Sequence, residues 1–366
     1  MAQRYRETVT ETYTEKIRKI TKKMPPYAKG FIDSKADSME VRSRYEYARD
    51  IMLFLRYCKD NIPECRNINI EEIPADTIEK IHPDFIDGYK EFLTVYTTPD
   101  GIEHKNGKDG KSTKLAVLRS FYKHLNKRGI VSTNPAALVD MPKKSKNEII
   151  TMKPEQEAEL LRALDNSEGR SIKEKELFER NHIRDKAIVL MLLGTGLRIS
   201  ELIGLDTTDI DLSEKTAKII RKGGDHDTVY FSDQVADALK KYLENTKQPG
   251  TRLSYNPKPD EKALFLTIRH TRYTVRALQS MIKKYVRELF GEDTKLSAHK
   301  MRATFGTSLY RDTGDMKLAQ EALHHKSIST TEKHYIGFDE EMKKKAARTV
   351  PTMNTVGKRG GNKKRY

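Results

Sequence analysis

Three kinds of side chain that could act on a phosphodiester fall within forty residues of this chain. Between Leu296 and Tyr335 stand His299 and Arg302, three apart and therefore on one face of a helix, then His325, then Tyr335. An arginine presents a forked, permanently charged set of donors that suits phosphate oxygens. A histidine moves protons near neutral pH. A tyrosine hydroxyl can serve as a nucleophile. The stretch thus holds a phosphate clamp, proton-transfer groups and a candidate nucleophile.

Two further residues upstream fit the same chemistry. Arg198 lies in Gly194-Thr195-Gly196-Leu197-Arg198-Ile199-Ser200-Glu201-Leu202, where the glycines end one helix and Ser200-Glu201-Leu202 opens another. An arginine there stands at a helix N-terminus, which attracts anions; it can equally pair with Glu201 in a structural ion pair. Lys222 lies in the turn between two strand-like runs, Ala217 to Arg221 and Thr228 to Phe231. Its long side chain can reach a ligand, or simply be surface. Neither Gly-x4-Gly-Lys-Ser/Thr nor Gly-x-Gly-x-x-Gly occurs, so no nucleotide-binding loop is expected.

The rest of the chain has to position these groups. At 366 residues it is too long for one ordinary core, so two domains are expected. The N-terminal part reads as helical. Residues 1–26 form a Thr-rich basic arm, flexible or weakly helical, ended by Pro25-Pro26. Residues 27–141 form a helical domain: a helix from a Ser38 cap to about Lys59, one opened by Pro83, and one capped by Ser112 and closed by Arg128-Gly129, with a hairpin or loop over 99–110 and a short turn after Asn134-Pro135. Residues 142–150 have the composition of a basic linker, residues 151–338 mix helices with a small β-hairpin, and 339–366 make a short helix and a basic tail. In the 151–338 segment, helices are expected at Pro154 to Leu164, Arg184 to Leu193, Ser232 to Leu243 and Thr274 to Leu289.

Charge narrows the partner. Lys and Arg exceed Asp and Glu by 16, and the pI is near 9.5. Residues 342–366 alone hold nine Lys or Arg and no acid. That balance points to a polyanion, with nucleic acid first. Mean hydropathy is −0.74 and no apolar run reaches the length of a membrane span, so no membrane partner is expected. The N-terminus lacks the apolar core of a secretory signal. Two cysteines, Cys58 and Cys65, are too few for a disulfide framework and suit a reducing cytoplasm. The sequence shows neither a carboxylate cluster for Mg²⁺ nor a His/Cys zinc spacing, and no metal or other cofactor is expected.

Taken together, Thr195 to Leu202, Lys222, His299-x-x-Arg302, Leu323-His324-His325 and Tyr335 resemble the tyrosine recombinase, or phage-type integrase, family in order and approximate separation. His299-x-x-Arg302 is the only His-x-x-Arg in the chain. The chain departs from the family pattern in having Leu-His-His where Leu-Gly-His is usual, and a step of ten residues from His325 to Tyr335, one longer than in many members. The role of His334, just before the tyrosine, stays open.

The resemblance implies a mainly α fold with a small antiparallel β-sheet in the C-terminal domain, arranged as a two-domain C-shaped DNA clamp. It implies Tyr335 as nucleophile, Arg198 and Arg302 as transition-state clamps, His299 as proton acceptor, Lys222 as the acid for the leaving 5′-oxygen, and His325 as a phosphate donor. It implies site-specific strand exchange through a 3′-phosphotyrosine and a Holliday junction. The partners implied are double-stranded DNA with defined sites, a homotetramer on that DNA, and accessory DNA-bending or directionality proteins, with a nucleoid location. The segment after Tyr335 docks on a neighbouring subunit or on its own domain. The rivals are a type IB topoisomerase-like relaxase and a DNA-binding regulator without catalysis.

Overall fold

The structure is a computed structural model describing residues 2–143, 150–168, 171–221, 224–247 and 262–323. The chain divides into two compact units, Met1–Glu148 and Ile149–Tyr366. Most of the basic linker, residues 248–261 and everything after Leu323 lie outside the described residues. No described helix is long and apolar enough to cross a membrane.

The first unit is helical. Its opening segment takes the helical alternative: α1 spans Ala2–Thr21. Val9, Tyr13, Ile17 and Ile20 recur every three or four residues and turn one face inward, with Ile17 buried. α2 spans Pro26–Asp33, with proline in its first turn. α3 spans Val41–Asn61 and carries much of the core through Ala48, Ile51, Phe54, Leu55 and Cys58. It begins later than a Ser38 cap implies. The residues after α2 extend its closing turn, with Ser34 N–H donating to Gly30 O and Ala36 N–H to Asp33 O. Tyr13 of α1 meets Tyr45 of α3 edge-on, their ring centroids 5.2 Å apart.

A short helix, α4 (Ala75–Glu79), leads to α5 (Pro83–Phe92). The hairpin β1 (Val95–Thr97) and β2 (Glu103–Lys105) follows, with Tyr96 paired to His104. α6 spans Lys108–Lys127 and starts at a Gly107 cap, so Ser112 is buried inside the helix instead of capping it. α7 (Pro135–Leu138) is capped by the Asn134 side chain, which accepts from Ala137 N–H at 3.2 Å. Phe31, Phe54, Tyr89, Phe121 and Tyr122 fill the centre of this unit. Cys58 and Cys65 are free, and burial pushes both thiols up from their ordinary pKa.

The second unit packs helices around α9. α8 spans Pro154–Ala163, and α9 spans Ile172–Thr195. α9 starts more than three turns earlier than the expected Arg184. A capping box begins it, with Ser171 Oγ accepting from Glu174 N–H at 3.4 Å and the Glu174 carboxylate accepting from Ser171 N–H at 2.9 Å. Ala187 to Leu192 are buried on every side. α10 (Ile199–Gly204) is followed by a three-stranded antiparallel sheet of β3 (Ile210–Asp211), β4 (Thr216–Ile220) and β5 (His226–Tyr230), in that order. α11 (Asp233–Lys247), α12 (Val275–Phe290), α13 (Ala298–Thr313) and α14 (Met316–Leu323) complete the unit. The mainly helical fold with small antiparallel sheets is the one the sequence implied.

Two arginine clusters brace this unit. Arg184 on α9 donates to Asp185 at 3.0 and 2.7 Å and to Leu266 O at 3.1 Å, and it stacks on Tyr273. Tyr285 on α12 donates to the other Asp185 oxygen at 3.1 Å. Arg272 donates to the carbonyls of Ile203 and Leu205, at 2.8 and 3.0 Å, and so fixes the end of α10. Removing the Arg184 charge strands Asp185 in the interior. Arg184→Met should lower unfolding free energy by about 3–5 kcal/mol, whereas Lys186→Ala, which breaks the exposed pair with Asp165, should change it by less than about 1 kcal/mol, both read from urea midpoints.

Candidate active site

The turn that delivers Arg198 depends on a glycine. α9 ends at Thr195, and Gly196 takes a left-handed conformation (φ 62°). A Cβ there would run into the Phe305 ring of α13 and approach Leu323 Cδ2 of α14 at 3.1 Å. Only glycine meets both demands without strain. Leu197 then plugs into the interior, and Arg198 becomes the N-cap of α10.

Glu201, in the first turn of α10, gathers the basic groups of the site around its carboxylate. It accepts from the Arg198 backbone N–H and from Arg198 Nη1, each at 2.8 Å. Arg221, at the end of β4, donates from Nη1 to the same carboxylate at 3.2 Å. Arg302 on α13 brings its Nη1 to 4.0 Å. The Glu201 side chain is 3% exposed, whereas that of Arg198 is 35% exposed. Arg198 is thus paired with Glu201 as an ion pair and still half open to a ligand. Asp227 adds a second carboxylate, accepting from Arg221 Nε at 2.9 Å. Three guanidinium groups and two carboxylates leave an excess positive charge, the sign that a phosphate requires.

Arg302 is buried, and its guanidinium ties two other segments together. Nη1 donates to Gly196 O at the α9–α10 turn, and Nη2 donates to Leu323 O at the end of α14. His299 sits one turn earlier on α13, exposed, in the first turn after the Ser297 cap. Thr304 on the same helix accepts from Met152 N–H at 2.8 Å, which fixes the entry of the chain into this unit.

The structure therefore joins Arg198 and Arg302 through Glu201, and carries His299 on the helix that holds Arg302. Lys222, His325 and Tyr335 lie outside the described residues, as does His334. Their described neighbours, Arg221 and Leu323, are each bonded into the cluster. Arg221 was not singled out from sequence. The signal was present in strand alternation: Ala217, Ile219 and Arg221 are the buried positions, one every second residue.

Residues 150–342 match the phage integrase family. The chain belongs to that family. The tyrosine recombinase XerC of Caldanaerobacter subterraneus subsp. tengcongensis is 30% identical over 340 residues, covering 90% of this chain and 88% of the relative. The XerC of Pelobacter propionicus is 32% identical over 237 residues, covering 64% of this chain and 71% of the relative. Among solved structures, XerH recombinase bound to palindromic difH substrate aligns over 86% of this chain and 82% of that one, with TM-score 0.60 and 18% identity. The Tn1549 transposon integrase in complex with circular intermediate DNA aligns over 88% and 99%, with TM-score 0.60 and 16% identity. This chain shares their fold and is a tyrosine-type site-specific recombinase.

In this recombinase the shared carboxylate is the site's structural centre. Glu201→Ala leaves three neighbouring guanidinium groups without it and should lower unfolding free energy by about 3–5 kcal/mol. Glu201→Gln, which keeps an acceptor oxygen, should lose less. Denaturant titration of the two variants against wild type checks the order.

Proposed function

We propose that this site-specific recombinase cuts each DNA strand through Tyr335, using Arg198 and Arg302 to hold the scissile phosphate. The observation that supports the reading is the convergence of those two arginines, from α10 and α13, on one buried carboxylate. A free phenol is only about 0.1% ionised at pH 7, so attack needs help with its proton and with the charge that develops on the phosphoryl oxygens. The arginines stabilise the pentavalent transition state through its non-bridging oxygens. His299 accepts the Tyr335 proton, Lys222 protonates the departing 5′-oxygen, and His325 donates to a phosphate oxygen. The Tyr335 Oη–phosphorus bond forms as the bond to the 5′-oxygen breaks. The product is a 3′-phosphotyrosine and a free 5′-hydroxyl. The phosphodiester energy stays in the covalent link, and a 5′-hydroxyl from the partner duplex attacks it to exchange strands through a Holliday junction.

The substrate in this reading is double-stranded DNA bearing defined recombination sites. The relatives named for recombination, two of them solved on DNA, support it, as does the excess of 16 basic residues. The first unit serves as the core-DNA-binding domain. Four protomers assemble on two sites, with accessory DNA-bending or directionality proteins, on the nucleoid in the cytoplasm. Nothing in the relatives favours supercoil relaxation or a regulator without catalysis.

A nicked suicide substrate tests the nucleophile. Wild type should accumulate a covalent protein–DNA complex, and Tyr335→Phe should form none; an adduct with Tyr335→Phe excludes the assignment. Assembly is tested separately. Removal of residues 339–366 should abolish cooperative tetramer formation on paired sites in a gel-shift titration, and unchanged cooperativity would refute a role for that segment between subunits.

A further inference from the structure

Arg221 does more than sit beside Glu201. It directly follows β4, and the alternation of that strand, carried one residue on, turns its side chain inward, where it is 5% exposed. Its guanidinium forks between two carboxylates on different elements: Nε donates to Asp227 Oδ2 on β5 at 2.9 Å, and Nη1 donates to Glu201 Oε2 on α10 at 3.2 Å. Its backbone closes the turn between the strands. Arg221 N–H donates to Asp225 O at 2.8 Å, and Gly224 N–H donates to Arg221 O at 3.1 Å. One residue therefore grips both strands of the hairpin, starts the turn, and bonds to the carboxylate that holds Arg198. The next residue in the chain is Lys222.

We propose that Arg221 is a positioning residue for strand cleavage, fixing the root of the β4–β5 turn in the same frame as the phosphate-binding arginines. The proposal rests on the reading of Lys222 as the acid for the leaving oxygen. A fork is needed because the two carboxylates lie in different directions from one buried point. An ammonium group on a flexible stem cannot reproduce that planar pair of bonds. Loss of the fork leaves Arg198 paired with Glu201 and leaves Arg302 with its two carbonyls, so the phosphate clamp persists while the turn loses its anchor.

The leaving-group step separates this role from a purely structural one. In cleavage the P–O5′ bond breaks and a proton passes from the Lys222 ammonium to O5′. When sulfur replaces that bridging oxygen, the leaving group departs as a thiolate and needs no proton. Single-turnover cleavage of nicked substrates with oxygen or sulfur at the 5′-bridging position should be compared for wild type, Lys222→Ala, Arg221→Met, Arg221→Lys and Asp227→Asn. Lys222→Ala should be slow on oxygen and recover on sulfur. Arg221→Met should be slower by about 10- to 100-fold on oxygen and return to within about 3-fold of wild type on sulfur. Arg221→Lys and Asp227→Asn, which disturb packing less, should move the same way by smaller factors.

Equal slowing of the Arg221 and Asp227 variants on both substrates, with Lys222→Ala still recovering, would overturn the proposal and assign Arg221 to the clamp or the fold. Failure of Lys222→Ala to recover on sulfur would overturn the acid assignment itself, and this proposal with it.

Discussion

Guanidinium groups repel one another and resist leaving water, so several of them gather in an interior only around a counter-charge. In this recombinase that counter-charge is Glu201. It lies in the first turn of α10, where it also satisfies the Arg198 backbone N–H left without a partner at a helix start. Arg198 reaches it from the N-cap, Arg221 from the end of β4, and Arg302 approaches it from α13. Three elements far apart in sequence are thereby held around one pair of oxygens. The rest of the second unit serves this arrangement. α9 supplies an all-round apolar pillar, Gly196 lets the chain turn sharply off its end, and Arg272 secures the far end of α10.

The same arrangement explains why the arginines differ in burial. Arg302 is enclosed and bonded to the carbonyls of Gly196 and Leu323, so it holds the α9–α10 turn against the end of α14. Arg198 remains half exposed at a helix N-terminus, where backbone N–H groups also favour an anion. In the proposed reaction the scissile phosphate meets a group whose orientation is already fixed by Glu201. Pre-orientation of that kind removes reorganisation from the reaction step, which is where electrostatic catalysis gains its advantage over water.

Much of this was legible in the chain. The Gly-x-Gly break followed by Arg-Ile-Ser-Glu marks both the end of α9 and the start of α10. His299 and Arg302 share a face because three residues span nearly one helical turn. The amphipathic stripes of α3, α5 and α12 are plain in the spacing of their apolar residues. Other features were hidden for physical reasons. The first half of α9 has no apolar stripe, and only the Ser171-x-x-Glu174 box announces it. α1 buries a narrow face of Val9, Tyr13, Ile17 and Ile20 among threonines and lysines, a pattern weak enough to suggest an arm. β3 has only two residues and gains its identity from pairing with β4. Arg221 carries a charge, which argues for surface until its place in the in-facing row of β4 is considered together with its two carboxylate partners.

In the proposed reaction the arginines gathered by Glu201 act on charge at the non-bridging oxygens of the scissile phosphate. Replacing one of those oxygens by an uncharged methyl group tests it directly. Cleavage by wild type and by Arg198→Ala would be compared on phosphodiester and methylphosphonate sites in single-turnover assays. If Arg198 neutralises that charge, Arg198→Ala is impaired by about 100-fold or more on the phosphodiester, and most of the difference from wild type disappears on the methylphosphonate. An equal deficit on both substrates would show that Arg198 does not act on that charge.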